Sequence, residues 1–265
     1  MDALPRRQLR ALFLSDVHLG MRGSQSARLA DFLRYHEAEA IYLVGDIVDG
    51  WRLRKRWHWS PAHNAVIAEL LAAAQRGARV VYLPGNHDAF LRDYCGVHFA
   101  GIEVVDSACH VAADGRRYLV IHGDHFDRLL SVGHRVAGLG AALNALLLGA
   151  SGLLSAARMR LGLPYWCLAQ WAKGKVKRAT DYVGAFERAL ADAAGACRVD
   201  GVICGHVHHA AIHERFGIRY INCGDWVESC TAVAERADGS FELLDWRPRP
   251  APRATRRRLF GMQAA

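Results

Sequence analysis

Leu9-Arg10-Ala11-Leu12-Phe13-Leu14-Ser15-Asp16-Val17-His18 is the stretch on which the fold turns. An apolar run of strand length stops at a serine, an aspartate and a histidine, so polar side chains would stand at the end of a buried strand. Proteins with α/β architecture collect their sites at such ends. The same unit recurs four more times. Residues 40–44 deliver Gly45-Asp46-Ile47-Val48-Asp49, and residues 79–83 deliver Gly85-Asn86-His87-Asp88. Residues 118–121 lead into His122-Gly123-Asp124, and residues 199–204 into Gly205-His206-Val207-His208.

Helical patterns separate the first of these strands. Residues 24–36 carry Leu29, Phe32 and Leu33 on one side; residues 63–76 carry Val66, Ile67, Leu70 and Leu71 and stop at Gly77. Strand, helix, strand, helix, strand predicts a parallel, layered sheet. In the second half, residues 102–105, 111–113 and 118–121 read as short strands split by an Asp114-Gly115 turn. Residues 211–214, 219–222, 229–234 and 240–245 follow with an antiparallel look, turning at Gly217 and Asp238-Gly239. Two α/β halves with sheets face to face are expected, as one domain over residues 1–246 without internal repeats.

Two segments stand apart. Residues 127–194 read as a helical insertion or lid, and within it residues 136–157 contain no charged side chain. That length would suit a membrane span. However, Gly138, Gly140, Asn144, Gly149, Ser151, Gly152 and Ser155 dilute its apolarity, and His122 and His206 on either side must reach one site. A lid or a monotopic membrane contact is expected instead, the alternative being a helical insertion packed on the core or a dimer interface. Lys173, Lys175, Lys177 and Arg178 would suit anionic head groups. Residues 247–265 form a basic tail with no acidic residue after Asp245.

Composition narrows the class. In 265 residues, 52% apolar and 23% charged describe an ordinary globular chain. The formal charge of +8 favours anionic partners. Seven cysteines without regular spacing argue against a disulfide framework and read as core or near-core residues of a reducing compartment. Met1 to Arg7 runs directly into the first strand, so no secretory signal is expected and a cytoplasmic protein is.

The five polar units supply the chemistry. In extended backbone, Asp16 and His18 would share a face and grip one metal. Asp46 offers an oxygen to each of two metals, Asn86 a neutral carbonyl oxygen, and His122, His206 and His208 imidazole nitrogens. The set suits manganese, zinc, iron, cobalt or nickel better than an all-oxygen magnesium site. Asp16, His18, Asp46 and His208 are assigned to one cation; Asp46, Asn86, His122 and His206 to the other. Asp124 is expected to hydrogen-bond a ligating histidine or a backbone amide of the site, and Asp49 to support the site or cap the following turn. With 14 histidines in the chain, most are ordinary surface or core residues, and His36, His58, His98, His110 and His134 are left in that class.

The order Asp-x-His, Gly-Asp-x-x-Asp, Gly-Asn-His-Asp, His-Gly-Asp, Gly-His-x-His resembles the calcineurin-like metallophosphoesterase superfamily over about residues 9–225, the insertion excepted. The resemblance implies a four-layer α/β/β/α sandwich and a centre of two divalent ions. It implies too that His87 lies near the scissile phosphate and that Asp88 orients it. Two cations would lower the pKa of a shared water, which attacks phosphorus in line. Within the superfamily the chain is most similar to the bacterial UDP-2,3-diacylglucosamine pyrophosphatases. The features that carry this are its size, the Gly45 to Trp51 stretch, Phe90-Leu91-Arg92-Asp93 and the insertion after Asp124. That likeness implies release of UMP and 2,3-diacylglucosamine 1-phosphate, manganese as the metal, and peripheral contact with the inner face of the cytoplasmic membrane. His87 departs from that group, which commonly carries arginine there, so a sister group acting on another phosphoester is the alternative. Arg92, Arg52 and Trp51 are candidate substrate contacts, the last two from the aromatic and basic stretch 51–59. A nucleic-acid substrate is not expected, because the long apolar insertion has no purpose on a polyanion.

Overall fold

β1 (Arg7–Leu14) is buried through its second half because it lies inside the larger sheet, flanked on both edges. On one edge it pairs in parallel with β2 (His36–Val44), Leu14 opposite Leu43. On the other it pairs antiparallel with β11 (Thr231–Glu235), Leu12 opposite Ala234. The computed structural model describes residues 6–126 and 177–247. The seven-stranded sheet is completed by β3 (Arg79–Leu83), β4 (His98–Phe99), β5 (Ile102–Val104) and β12 (Phe241–Asp245), in the order β12-β11-β1-β2-β3-β5-β4. The second sheet runs β6 (Ala108–Val111), β7 (Arg117–Val120), β8 (Gly201–Cys204), β10 (Ile218–Asn222), β9 (Ala211–Arg215).

Alternation along the strands sorts side chains into three buried layers. Ala11, Phe13, Tyr42, Val44, Val81 and Leu83 point between the sheets and meet Tyr118, Val120, Ile203 and Ile221. Phe13 stacks on Tyr42 with ring centres 4.8 Å apart. Leu12, Leu14, Ile41 and Leu43 point the other way, under α1 (Ser26–Tyr35) and α3 (Pro61–Gln75), which contribute Leu29, Phe32, Leu33, Val66 and Leu70. The helix α4 (Lys177–Cys197) covers the far face of the second sheet, setting Phe186, Leu190 and Ala194 against Val202, Ile218 and Tyr220. Helices, sheet, sheet, helix are the four layers expected.

Several boundaries differ for identifiable reasons. His36 opens β2 rather than closing α1: its backbone is extended, and its ring lies on Phe32 while hydrogen-bonding the Phe32 carbonyl. β6 ends at Val111, because the Ala112 amide donates to the Arg116 carbonyl and closes the turn there. The second half is less antiparallel than its spacing suggested, since β7, β8 and β10 run parallel. β11 and β12 cross back to the first sheet, where the small residues Ala232 and Ala234 pack under the helices and Val233 between the sheets.

The end of the expected insertion, α4, packs on the core, the alternative to a lid. Residues 127–176 and 248–265, with the uncharged run, Lys173, Lys175 and most of the basic tail, lie outside the described residues. Among the described residues no helix is long and apolar enough to cross a membrane. The stretch 51–59 begins as α2 (Gly50–Lys55), capped by Asp49, whose carboxylate accepts the Arg52 amide at 2.9 Å. Cys204, Cys223 and Cys230 are buried as expected of core cysteines, whereas Cys95, Cys109 and Cys197 are exposed.

Candidate metal centre

Asp16 and His18 follow β1, Asp46 follows β2, Asn86 and His87 follow β3, His122 follows β7, and His206 and His208 follow β8. These loops meet at one edge of the paired sheets. The backbone there is unusual. Asp16, His18, Asp46, His206 and His208 all have φ between 52° and 69°. Non-glycine residues held in that region cost about 1 kcal/mol or more each and cluster at functional sites. The extended Asp16–His18 segment expected from alternation is therefore not what forms. Instead the Asp16 amide donates to the Gly45 carbonyl (3.0 Å) and the His18 amide to the Asp46 carbonyl (2.9 Å), stitching the two loops together. Space is equally tight. A methyl group on Gly85 would collide with Asp46 Oδ1 and the His122 ring, and one on Gly205 with Ser15 and Asp16.

The side chains converge on a common hollow. His208 Nε2 lies 3.1 Å from Asp16 Oδ1, and His18 Nε2 lies 3.9 Å from the same oxygen. His122 Nε2 lies 3.6 Å from Asp16 Oδ1 and 3.7 Å from Asp46 Oδ2. Ligands that share a cation at about 2.0–2.2 Å lie at such mutual distances. Asp16, His18 and His208 form one grouping, and Asp16, Asp46 and His122 a second. Asp16 belongs to both and Asp46 to the second, and His18, Asp49 and His87 form a third. Asp46 Oδ2 still comes within 4.0 Å of His18 Nε2, while its Oδ1 accepts the His87 amide. The His206 ring packs edge-on against His122, and its amide donates to Asp16 Oδ2. Asp16 Oδ1, Asn86 Oδ1 and His122 Nε2 are buried with no hydrogen-bond partner. Buried lone pairs converging without donors fit divalent cations, and the mixed nitrogen and oxygen donors fit a transition metal.

Supporting groups orient the ligands. His122 Nδ1 faces Asp124 Oδ1 at 3.2 Å, as expected for Asp124. Arg92 closes on Asp124 with contacts of 2.8 and 2.9 Å, so its guanidinium holds the carboxylate behind His122. Asp49 lies 3.5 Å from His18 Nδ1 and 3.1 Å from His87 Nδ1. Asp88 does not orient His87. It is fully buried and accepts the amides of Asp46, Ile47, Val48 and Gly85 and the Tyr82 hydroxyl, which makes it the knot between two loops. Asp49, expected to support the site or cap the following turn, does both, and it is the acid beside His87. Trp51 is half exposed and lies against His87 with ring centres 4.3 Å apart, and Arg52 sits at the rim beside Asp49.

Charge follows geometry. Burial opposes ionisation of Asp16, but the imidazoles of His208 and His122 outweigh it and hold the carboxyl well below its usual range. Burial disfavours the His122 cation, yet the Asp46, Asp124 and Asp16 carboxylates raise its pKa well above the ordinary value. Burial likewise works against a charged His87 and loses to Asp49, Asp46 and Asp16. This is an acidic pocket lined with imidazoles, built to hold positive charge.

The Calcineurin-like phosphoesterase family model matches residues 9–210. The chain belongs to that family. It is a metal-dependent phosphoester hydrolase, with groups placed to hold divalent metals. Among curated relatives it is 29% identical to the UDP-2,3-diacylglucosamine hydrolase of Neisseria meningitidis serogroup B, covering 86% of this chain and 94% of that one. It is 26% identical to the enzyme of that name from Pectobacterium carotovorum, covering 84% and 93%. An archaeal phosphodiesterase of solved structure is 14% identical, with a TM-score of 0.40, covering 89% and 98%. The family match stops before β10, but the site does not. In the connection from β10 to β11, the Trp226 amide donates to the Asp16 carbonyl at 3.0 Å. Sequence reasoning missed this segment, although Gly224-Asp225 after an apolar strand repeats the pattern of Gly45-Asp46.

Proposed function

We propose that this phosphoesterase hydrolyses the diphosphate of UDP-2,3-diacylglucosamine to UMP and 2,3-diacylglucosamine 1-phosphate. The observation that carries the reaction type is the set of buried, donorless ligand atoms at Asp16, Asn86 and His122. Support for the substrate comes from relatives of that name aligned over most of both chains. Asp16, His18, Asp46, Asn86, His122, His206 and His208 would hold two divalent ions, manganese being our choice. When bound, such ions lower the pKa of water and neutralise phosphate oxygens.

The chain's own groups do the rest. Water attacks phosphorus, the anhydride P–O bond breaks, and its electron pair leaves with the departing phosphate. His87, whose cation Asp49 favours, stands over the hollow to offset charge on the transition state or to donate a proton to the leaving oxygen. Trp51 and Arg52 at the rim offer a ring face and a phosphate partner to the nucleotide.

The deciding assay follows UMP release from the acylated UDP-sugar beside UDP-sugars, cyclic nucleotides and single-stranded DNA under manganese. Release dependent on acylation is expected, and absent in Asp46→Ala. If that lipid is untouched while another phosphoester turns over, the sister-group reading replaces it. His87 held between Asp49 and Trp51 favours that second reading. Peripheral attachment to anionic membrane from the cytoplasmic side belongs to the same proposal; co-sedimentation with phosphatidylglycerol vesicles should fall as salt rises. Binding indifferent to salt would remove it.

A further inference from the structure

The connection between β10 and β11, residues 223–230, lies beyond the family match and is buried almost throughout. Asp225, Trp226 and Cys230 are at most 1% exposed. Charged and bulky residues do not occupy a buried connection without a reason, since an ionised carboxylate out of water needs partners. Asp225 has them. Its Oδ1 accepts the amides of Val227, Glu228 and Ser229, and its Oδ2 accepts the Ser229 hydroxyl at 2.7 Å. The Ser229 hydroxyl also accepts the Asp225 amide at 3.0 Å. The carboxylate is therefore fixed in position by its own turn.

That fixed carboxylate points at the metal site. Asp225 Oδ2 lies 3.9 Å from His208 Nδ1, on the side of the ring away from Asp16, which His208 meets through Nε2 at 3.1 Å. The separation is within ion-pair range and longer than a hydrogen bond. The next residue reaches the same pair from the backbone: Trp226 N–H donates to the Asp16 carbonyl, whose residue sits at φ 52°. One residue before the connection, Asn222 Nδ2 donates to the Gly205 carbonyl at 2.7 Å and Asn222 Oδ1 accepts the Gly224 amide. Asn222 to Trp226 thus touch the His206–His208 loop and the Asp16 loop together.

We propose that Asp225 is a positioning residue of the metal centre. It draws the proton to His208 Nδ1, leaving the Nε2 lone pair free toward the cation shared with Asp16, and the Asn222–Trp226 segment locks the two ligand loops in register. Carboxylates placed behind a ligating imidazole typically change metal affinity about 10–100-fold. The inference rests on the reading that Asp16 and His208 share a cation.

The test uses the full chain, stripped of metal and titrated with manganese alone or cobalt alone. Asp225→Asn should weaken manganese binding at least tenfold and shift the visible absorption of the cobalt-loaded protein, with a thermal midpoint close to wild type. Asp225→Glu should recover part of both. In metal-free protein, the ring-nitrogen NMR shifts of His208 should report an Nδ1–H tautomer that Asp225→Asn redistributes. Should Asp225→Asn not fold, Ser229→Ala frees Oδ2 from its hydroxyl and leaves the carboxylate; a change of the His208 tautomer is then expected. If Asp225→Asn keeps wild-type manganese affinity and cobalt spectrum while His208→Ala loses them, the inference is overturned and the metal centre stands. If His208→Ala also binds both metals normally, the metal reading of this site fails with it.

Discussion

At Asp49 one buried carboxylate serves three partners: His18, His87 and the amide that opens α2. Burial opposes its ionisation, but these hydrogen-bond partners and the charge of His87 hold its pKa far below the ordinary carboxylate value. Its negative charge in turn helps raise that of His87, so the His87 cation persists to higher pH than a free imidazole would. Asp49→Asn removes that support. If cationic His87 assists turnover, activity is lost as pH rises through the His87 pKa, and in Asp49→Asn this alkaline limb should move to lower pH. A loss in kcat of about 10–100-fold is expected at the wild-type optimum. A pH–rate profile superimposable on wild type would assign the role of His87 elsewhere. Asp88, one position beyond His87, has no such reach, because its oxygens are already occupied by four amides and a hydroxyl.

Strands and loops place these residues by contact between elements. The Asp46 and Gly85 loops are tied through Asp88, and the His122 ring lies against both. Gly85 is a tight point of this junction, and there the constraint is space rather than φ. Gly85→Ala must push Asp46 Oδ1 and the His122 imidazole apart, a local overpacking of about 1–3 kcal/mol. Denaturant midpoints should show that loss, and metal content after purification should fall with it, since both displaced groups are candidate ligands. Retention of full metal content would mean that the loop relaxes without moving the site. The same element-level tightness explains why the short stretch after Asp49 is a helix. A capped first turn carries Trp51 and Arg52 to the rim of the site while Trp59 turns back onto the core.

At the scale of the molecule, an apolar layer joins the two sheets, and a polar clamp crosses it. Glu235 on β11 is fully buried and binds Arg10 on β1, the Ala113 amide and, at 2.7 Å, His110 on β6 of the opposite sheet. Burial works against its ionisation, yet His110, the Ala113 amide and Arg10 lower its pKa below 4.5. A depressed carboxylate pKa contributes stability that is present above the unfolded value and is lost as pH falls through the folded one. Thermal midpoints of the wild type should therefore drop below about pH 4.5. Glu235→Gln should be less stable at neutral pH by about 1–3 kcal/mol, because Arg10 is part exposed, and its acid dependence should be flatter. Parallel acid curves for the two proteins would assign the acid sensitivity to other carboxylates.

The sequence alone determined the layered α/β class, five strand-end segments and the polar residues they carry. The reason is local. Apolar runs of strand length must be buried, and polar residues at their ends are left at the sheet edge whatever the topology. It also marked Asp124 as a partner of a ligating histidine or of a site amide, and the structure pairs it with His122. Only the tertiary structure decided that β11 and β12 join the first sheet and that Asp49, not Asp88, faces His87. Only it brought Arg92 behind Asp124 and the β10–β11 connection behind His208. These pairings join residues far apart in the chain, and the left-handed backbone at Asp16, His18 and Asp46 turns their side chains out of the directions that alternation gives. A one-dimensional pattern fixes which residues are buried or polar, whereas strand order and loop closure fix which of them meet.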